Sequence, residues 1–481
     1  MAIAVKSRRS MSELAASRPR NLRASYDAAQ TTQDNSRLWA NADHLSAQAA
    51  HSPQVRRVLR ARARYEAANN SYCAGMLRTL ANDVIGRGSR LQLIANDAGR
   101  DTLMAVEADF ASWAKQVRLA QKLRQMRICV ARDGEAFAVL TTNMALPTKV
   151  KLDIRLVDAE QVATPMLATT SPQLSDGIIF DDWGNPLAYQ ILRRHPGDTS
   201  AASARLDADT VPAEQVIHLF RAERPGQSRG VPEITSSIPL YAELRRYTLA
   251  VVAAAESAAD AAGVISSDAP PETTGDFEPF DAVDIERRQW VTLPQGWGIS
   301  QIKAEQPTTT YPQFKREILT EIARCLSMPY NVAAGDSSSY NYASGRLDHQ
   351  TYFKSIDVDR DHIEIVALDR ILGAWLGEAR RIEGHHAREL PEQVRHEWTW
   401  DGREHVDPSK EATAQATRLS SNCTTLAAEY AKQGLDWETE LYQRARELKR
   451  MRELGLPIAL PPGSPGVSPA AADDEAEEKD E

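Results

Sequence analysis

From Tyr311 to Leu376 the sequence reads as a helix, a polar loop and a second, longer helix, and this order constrains the fold more than any other stretch. Phe314, Ile318, Ile322 and Leu326 recur every four residues, the spacing of one buried helical stripe, while Lys315, Arg316, Glu317, Glu321 and Arg324 occupy the other face. Pro329 has no amide hydrogen and disfavours helical geometry at Met328, so the first helix is expected to stop there. The string GDSSSYNYASGR, 335–346, then reads as loop. Beyond it, Leu347, Phe353, Ile356, Ile363, Leu368, Leu372 and Trp375 predict a long helix, with glycine only near its ends at Gly345 and Gly373.

The 481 residues suffice for two to four compact units with a substantial core. A net charge of −9 argues against a surface that grips nucleic-acid backbone all over, but leaves room for a channel through which DNA slides. Cys73, Cys129, Cys325 and Cys423 show no CxxC pairing and read as reduced thiols. Neither a secretory h-region nor an apolar run of about 18 residues is found, so no membrane partner is expected.

Residues 1–50 read as a polar arm, basic near its start. From Pro53 to Ile85 the pattern is helical and arginine-rich, a further helix is expected around Leu103 to Met126, and short strands then run to about Phe220. Asp133-Gly134 and Trp183-Gly184-Asn185-Pro186 look like hairpin turns, and the whole is an α+β body. A helix is expected from near Pro232 to about Ala262, followed by a Pro/Asp/Thr-rich insert with short strands at Trp290 and Trp297. Trp398 begins an extended stretch ending at Pro408, two helices follow over 409–433 and 437–453, and the acidic, low-complexity 457–481 is expected to be disordered.

Candidate chemistry is thin. His385, His386, His396 and His405 lack the spacing of a metal site, and Asp357, Asp359 and Asp361 lack the other ligands of a calcium loop; those aspartates read as solvated or paired with Arg360 and His362. Gly226-Gln227-Ser228-Arg229-Gly230 fits GxSxG, yet Pro225 and Pro232 interrupt the strand and helix that a nucleophile elbow needs, so a plain loop is expected. No Walker A motif is present, and neither a cofactor nor a metal is implied. The arginines of RRVLRARAR, Arg56, Arg57, Arg60, Arg62 and Arg64, read as partners for carboxylates, between subunits or within the chain.

An ordered series of motifs resembles the lambda-type phage portal proteins: RNLRASYDAAQ at 20–30, Trp39, the arginine-rich helix, NDVIGRGSRLQ at 82–92, RDGEAF at 132–137, GQSRGVPEI at 226–234, MPYNVAAGDSSSYNYASGR at 328–346 and WTWDGREHVDPSKEATA at 398–414. The resemblance implies a structural rather than enzymatic protein: a ring, usually of twelve subunits, at one capsid vertex. Such a ring passes double-stranded DNA during packaging and ejection, and it meets the large terminase subunit, head-tail connectors, the major capsid protein and scaffold. It would be assembled in the host cytoplasm and reside in the virion.

The resemblance implies a portal-protein fold with an α/β wing over 51–231, helical stem segments at 232–263 and 311–328, and a small α/β clip at 264–310. A tunnel loop would occupy 329–344, a long wing helix and return strand 345–408, and a helical crown 409–456. Ser337, Ser338, Ser339, Tyr340, Asn341 and Tyr342 would then face DNA, and Arg56, Arg57, Arg60 and Arg64 would be candidates for contacts between subunits. The sequence departs from the family at Tyr342-Ala343-Ser344-Gly345-Arg346, where relatives tend to have Tyr-Ser-Ser-Ala-Arg. Gly345 sets the start of the long helix against its propensity, by about 1 kcal/mol relative to alanine in a helix interior. Two other readings stay open at this point, a different virion connector and a soluble hydrolase using Ser228.

Overall fold

A computed structural model describes residues 36–94, 99–166, 173–198, 207–259, 263–267, 297–301, 310–338, 340–402 and 408–456. Expectations for the first part of the arm, most of the 264–310 insert, Trp290, Ser339, His405 and the 457–481 tail lie outside these residues.

Asn70 sets the first corner. It ends helix α1 (Pro53–Asn69) and starts α2 (Ser71–Ile85), its side-chain oxygen accepting from the amides of Tyr72 and Cys73 while its Nδ2 donates to the carbonyl of Tyr241. Ser52 caps α1 and Pro53 fills its first turn, where a missing amide costs nothing. Cys73, Met76, Leu77, Leu80 and Val84 make α2 the helix with the buried face.

Strand β1 (Arg90–Ile94) follows, then α3 (Arg100–Gln116) and α4 (Leu119–Asp133). The helix expected around 103–126 is thus two, broken where Arg118 takes a left-handed conformation. Asp133-Gly134 is not a hairpin turn either: Gly134, at φ +94°, ends α4 and releases the chain into β2 (Glu135–Thr142). With β3 (Leu152–Val157) and β8 (Val216–Phe220), β2 forms an antiparallel sheet in the order β3-β2-β8. A second antiparallel sheet has β4 (Leu174–Ser175), β5 (Ile178–Phe180), β6 (Pro186–Leu192) and β7 (Ala208–Pro212) in sequence order. Asp181 closes its β5–β6 turn by accepting from the amides of Trp183 and Asn185. The fold class is mixed helix and sheet.

Helix α5 (Ile238–Ala259) begins after a 3-10 turn at Thr235–Ser237, later than Pro232. Strands β9 (Gly263–Ser267) and β10 (Trp297–Gln301) pair antiparallel. Helix α6 (Tyr311–Arg324) ends four residues before Met328, and its stripe is only half buried in one chain: Ile322 and Leu326 are buried, Ile318 is intermediate and Phe314 is exposed. After the short α7 (Tyr330–Ala334) comes α8 (Tyr342–Ile363), continued by a π-helical segment Glu364–Leu368 and α9 (Asp369–Ala379). The π turn coincides with side chains arriving from β11 (Arg395–Thr399) and just beyond: the Trp400 indole donates to Glu364 at 2.5 Å, the Trp398 indole to Asp369 at 2.8 Å. Strand β11 pairs antiparallel with β1, Leu91 opposite Trp398.

One core runs through α2, α3, α4, α6, α8 and α9, with Phe110 edge-on to Trp375 at 5.4 Å. A smaller core of Phe137, Val157, Tyr189, Ile191 and Val216 joins the two larger sheets. The C-terminal region holds three helices rather than two, α10 (Pro408–Ser420), α11 (Leu426–Lys432) and α12 (Trp437–Glu453), with Asn422 left-handed at the extra break. They dock by backbone: a β-carbon on Gly402 would lie 2.4 Å from Gln433, and one on Gly434 2.6 Å from the Trp400 carbonyl.

Candidate functional site

The segment after α6 is shorter and better held than its serines suggest. Ser327 adopts φ +54°, and the Met328 amide reaches back to the Ala323 carbonyl at 3.1 Å, a helix stop made without glycine. Pro329 then starts α7, whose Tyr330 ring lies under Arg316 at 5.1 Å. Gly335, at φ +66°, ends α7, with the Asp336 amide donating to Asn331 at 3.2 Å. The Asn331 amide nitrogen and His349 Nε2 sit 3.0 Å apart, tying α7 to α8.

Among the described residues, 335–338, 340 and 341 lie outside helix. Asp336 Oδ1 accepts the Ser338 amide at 2.9 Å, and that bond holds its carboxyl below the usual range. The Tyr340 amide donates to the Ser337 carbonyl at 3.1 Å. Asn341 and Ser344 form a reciprocal capping box: the Ser344 amide donates to Asn341 Oδ1 at 2.9 Å, and the Asn341 amide to Ser344 Oγ at 3.3 Å. Of the sequence candidates, Ser337 and Ser338 are exposed, Tyr340 is half buried, Asn341 is the cap and Tyr342 is already the first residue of α8. Ser339 lies outside the described residues. Gly345 falls in the first turn, behind a cap that starts the helix despite it. From Pro329 to Gly345 the only charged side chain is Asp336.

The C-terminal flank of this loop, α8, is fastened to α2 and α4. Tyr352 donates to Asp83 at 2.8 Å, and Arg360 donates to the carbonyls of Val84 and Asp83 at 2.9 and 3.0 Å. The buried Arg127 of α4 bonds Asp359 of α8 at 2.7 Å and Glu233, just before α5, at 2.9 Å, while Arg221 takes the other Asp359 oxygen at 2.7 Å. Asp359 is therefore buried and paired with residues far away in sequence, not with Arg360 or His362.

A second ionic cluster lies where RDGEAF meets GQSRGVPEI. Glu135 is fully buried and receives Arg229 in a fork, at 2.7 and 2.9 Å, together with Arg60, the Gly230 amide at 3.0 Å and His218 Nε2 at 3.1 Å. Burial would raise the Glu135 carboxyl, but the Arg229 charge, the His218 bond and Arg60 overcome it and hold the group well below the usual range. Burial pushes His218 down, against the pull of Glu135. Its ring is stacked between Phe137 and Phe220, centroids 4.2 and 4.4 Å away. The approach needs two glycines: a β-carbon on Gly230 would lie 2.0 Å from the Gly134 oxygen.

Arg56 and Arg60 are buried, bonded to Asp176 and Glu135, and the half-buried Arg64 holds Asp133 at 2.8 Å and Asp158 at 2.9 Å. These three are engaged within the chain; Arg57 is exposed. Sequence reasoning named the arginines but missed Glu135 and Arg229, whose signal was the pairing of charge with glycine in the two motifs.

The chemistry of the cluster is that of a clamp. Glu135 is saturated with donors, and Ser228 Oγ accepts from Gln48 at 3.2 Å. Ser228 shares a cavity of about 50 Å³ with His51, Arg56 and Asp176, space on the scale of bound water. Among the described residues His385 caps a short 3-10 turn and His396 lies 2.9 Å from Asp369.

A family model described as "Phage portal protein, lambda family" matches residues 33–360. A "Probable portal protein" of Halomonas phage phiHAP-1 is 25% identical over 434 residues, covering 83% of this chain and 81% of that one. Among solved structures, a chain from the neck of an empty GTA particle aligns with TM-score 0.41 and 12% identity over 78% of this chain and 93% of its own. A chain from the virion of a native gene transfer agent particle aligns with TM-score 0.33 and 12% identity over 75% and 99%. Structural likenesses this distant decide nothing about the chain.

Proposed function

Because the chain belongs to the lambda family of phage portal proteins, its role is structural, at the portal of a phage or phage-like particle, and we propose how its parts serve that role. Copies close into a ring, of twelve subunits as is usual in the family, around a channel for double-stranded DNA. The pair α5 and α6 forms the stem, the insert between them the clip that meets terminase and connectors, and α10 to α12 the crown inside the capsid. Major capsid protein and scaffold would meet the ring's periphery during assembly in the host cytoplasm.

One observation supports the channel reading: the polar stretch 335–341 holds no lysine or arginine, and it lies between the Gly335 helix stop and the Asn341–Ser344 capping box, tied through α8 to α2 and α4. Duplex DNA carries one charge per ~1.7 Å of axis, so a cationic collar would hold it fast; serine, asparagine and tyrosine offer contact without that grip. The exposed Leu249, Val252 and Phe314 on α5 and α6 support a stem completed by neighbouring copies. Exposed Arg57 remains a candidate for contact between subunits.

Negative-stain microscopy of the purified chain is expected to show rings with a central hole; a monomer or small oligomer at every concentration overturns the reading. Replacing Tyr340 and Tyr342 by glycine should leave rings intact and reduce DNA retained in filled particles, and unchanged retention would remove the loop from the channel. The hydrolase alternative loses its support at Ser228, whose hydroxyl meets an amide rather than a base.

A further inference from the structure

Among the described residues, helices α1 and α8 present exposed apolar stripes. On α1, Val55, Val58 and Tyr65 are 42%, 48% and 53% exposed, and Arg62 lies within the same stripe at 100° per residue. On α8 and the π turn after it, Leu347, Val358 and Ile365 are 66%, 64% and 61% exposed, with Asp361 among them and Lys354 one turn before Val358. Isolated exposed apolar residues are ordinary, but two aligned stripes on long helices are not.

The stripes face different ways. Helices α2 and α4 each touch both α1 and α8. On α4, Asp133 meets α1 and Arg127 meets α8; six residues apart, they project about 120° from each other. The charges also differ in sign. The α1 stripe carries Arg62, with Arg245 stacked 5.0 Å over Tyr65, whereas the far half of the α8 stripe carries Asp361.

We propose that the α1 stripe of one copy docks on the Val358–Ile365 half of the α8 stripe of the next, Arg62 facing Asp361. A patch that meets a different patch on its neighbour is a heterologous contact, the kind that closes a ring, and this pairing rests on the ring reading above. The occupant of each stripe is thus a second copy of this chain, selected by complementary charge around an apolar centre.

The full-length chain carries the test, by native mass measurement and negative stain over a concentration series. Arg62→Asp and Asp361→Arg, both exposed, should each raise the concentration for half-assembly about tenfold. The double variant should return it towards wild type. Single variants that assemble like wild type, or a double variant no better than the worse single, overturn the pairing.

A wild-type chain that never assembles defeats the ring reading instead, a separate outcome. If a charge variant does not fold, equal amounts of Val58→Cys and Val358→Cys chains assembled together and oxidised should cross-link one kind to the other. Rings that yield no such mixed product overturn the proposal. Protection of position 58 from thiol reagents in the monomer would assign the α1 stripe to the chain's own arm, and would also overturn it.

Discussion

Glu135 and Asp336 are both carboxylates held below their usual range, and they are held by opposite means. Burial opposes ionisation at Glu135, and Arg229, His218 and Arg60 reverse it; at Asp336, on the surface, hydrogen bonds from Ser338, the backbone amide first, with Arg316 nearby, do the lowering. The Glu135 cluster joins α1, β2, β8 and the 226–232 loop, so its geometry is fixed many times over. The described part of the 335–341 segment is held by its caps and by two short-range bonds, Ser338 to Asp336 and Tyr340 to Ser337, and by no bond to another element of the kind that fixes Glu135. On the proposed channel reading, the frame is the rigid part and the lining the part that yields.

Arg229→Ala should break the comparison hardest, since it strands a buried carboxylate: a loss of about 3–5 kcal/mol, read by denaturant unfolding. A loss under about 1 kcal/mol would mean the cluster is not a clamp. Gly230→Ala should cost about 1–3 kcal/mol, because the added carbon meets the Gly134 carbonyl and not a movable side chain.

Acid should act on the same cluster. His218, lowered in the folded state, lets the unfolded chain take a proton first as the pH falls below about 6.5, so stability declines there; Glu135, also lowered, gives stability present above about 4.5 and lost as the pH falls towards its folded pKa. Thermal melts across this range check the sign, and His218→Phe should flatten the first part.

At the loop, Gly345→Ala should stabilise α8 by up to about 1 kcal/mol, its new carbon only 3.6 Å from Tyr340 Cδ1. Ser337→Ala should fall within about 0.5 kcal/mol of wild type, and a larger loss would show the loop to be packed.

Much of the frame was legible. The stripe spacing placed α6 and α8, and Pro329 and Gly335 marked breaks close to where they occur. Ends were misplaced where the deciding group was a conformation rather than a residue type. Ser327 and Arg118 stop helices with a left-handed backbone that nothing in their residue type announces; Asn422, of a type enriched in that conformation, does the same. The loop shrank because Tyr330–Ala334 coils against α6 and because Asn341 and Ser344 cap each other, a pairing the string YNYAS contains but does not advertise.

Local matters could be read along the chain: helix periodicity, the break at proline, the absence of cation in the loop, and a motif order that resembles one family. Those follow from residues near each other, whose preferences are set by their own backbone and neighbours. Which charges meet depended on the fold. Glu135 and Arg229 are 94 residues apart, Arg127 and Asp359 232. A carboxylate becomes a buried clamp or a solvated turn according to what folds over it, and burial is a property of the whole chain.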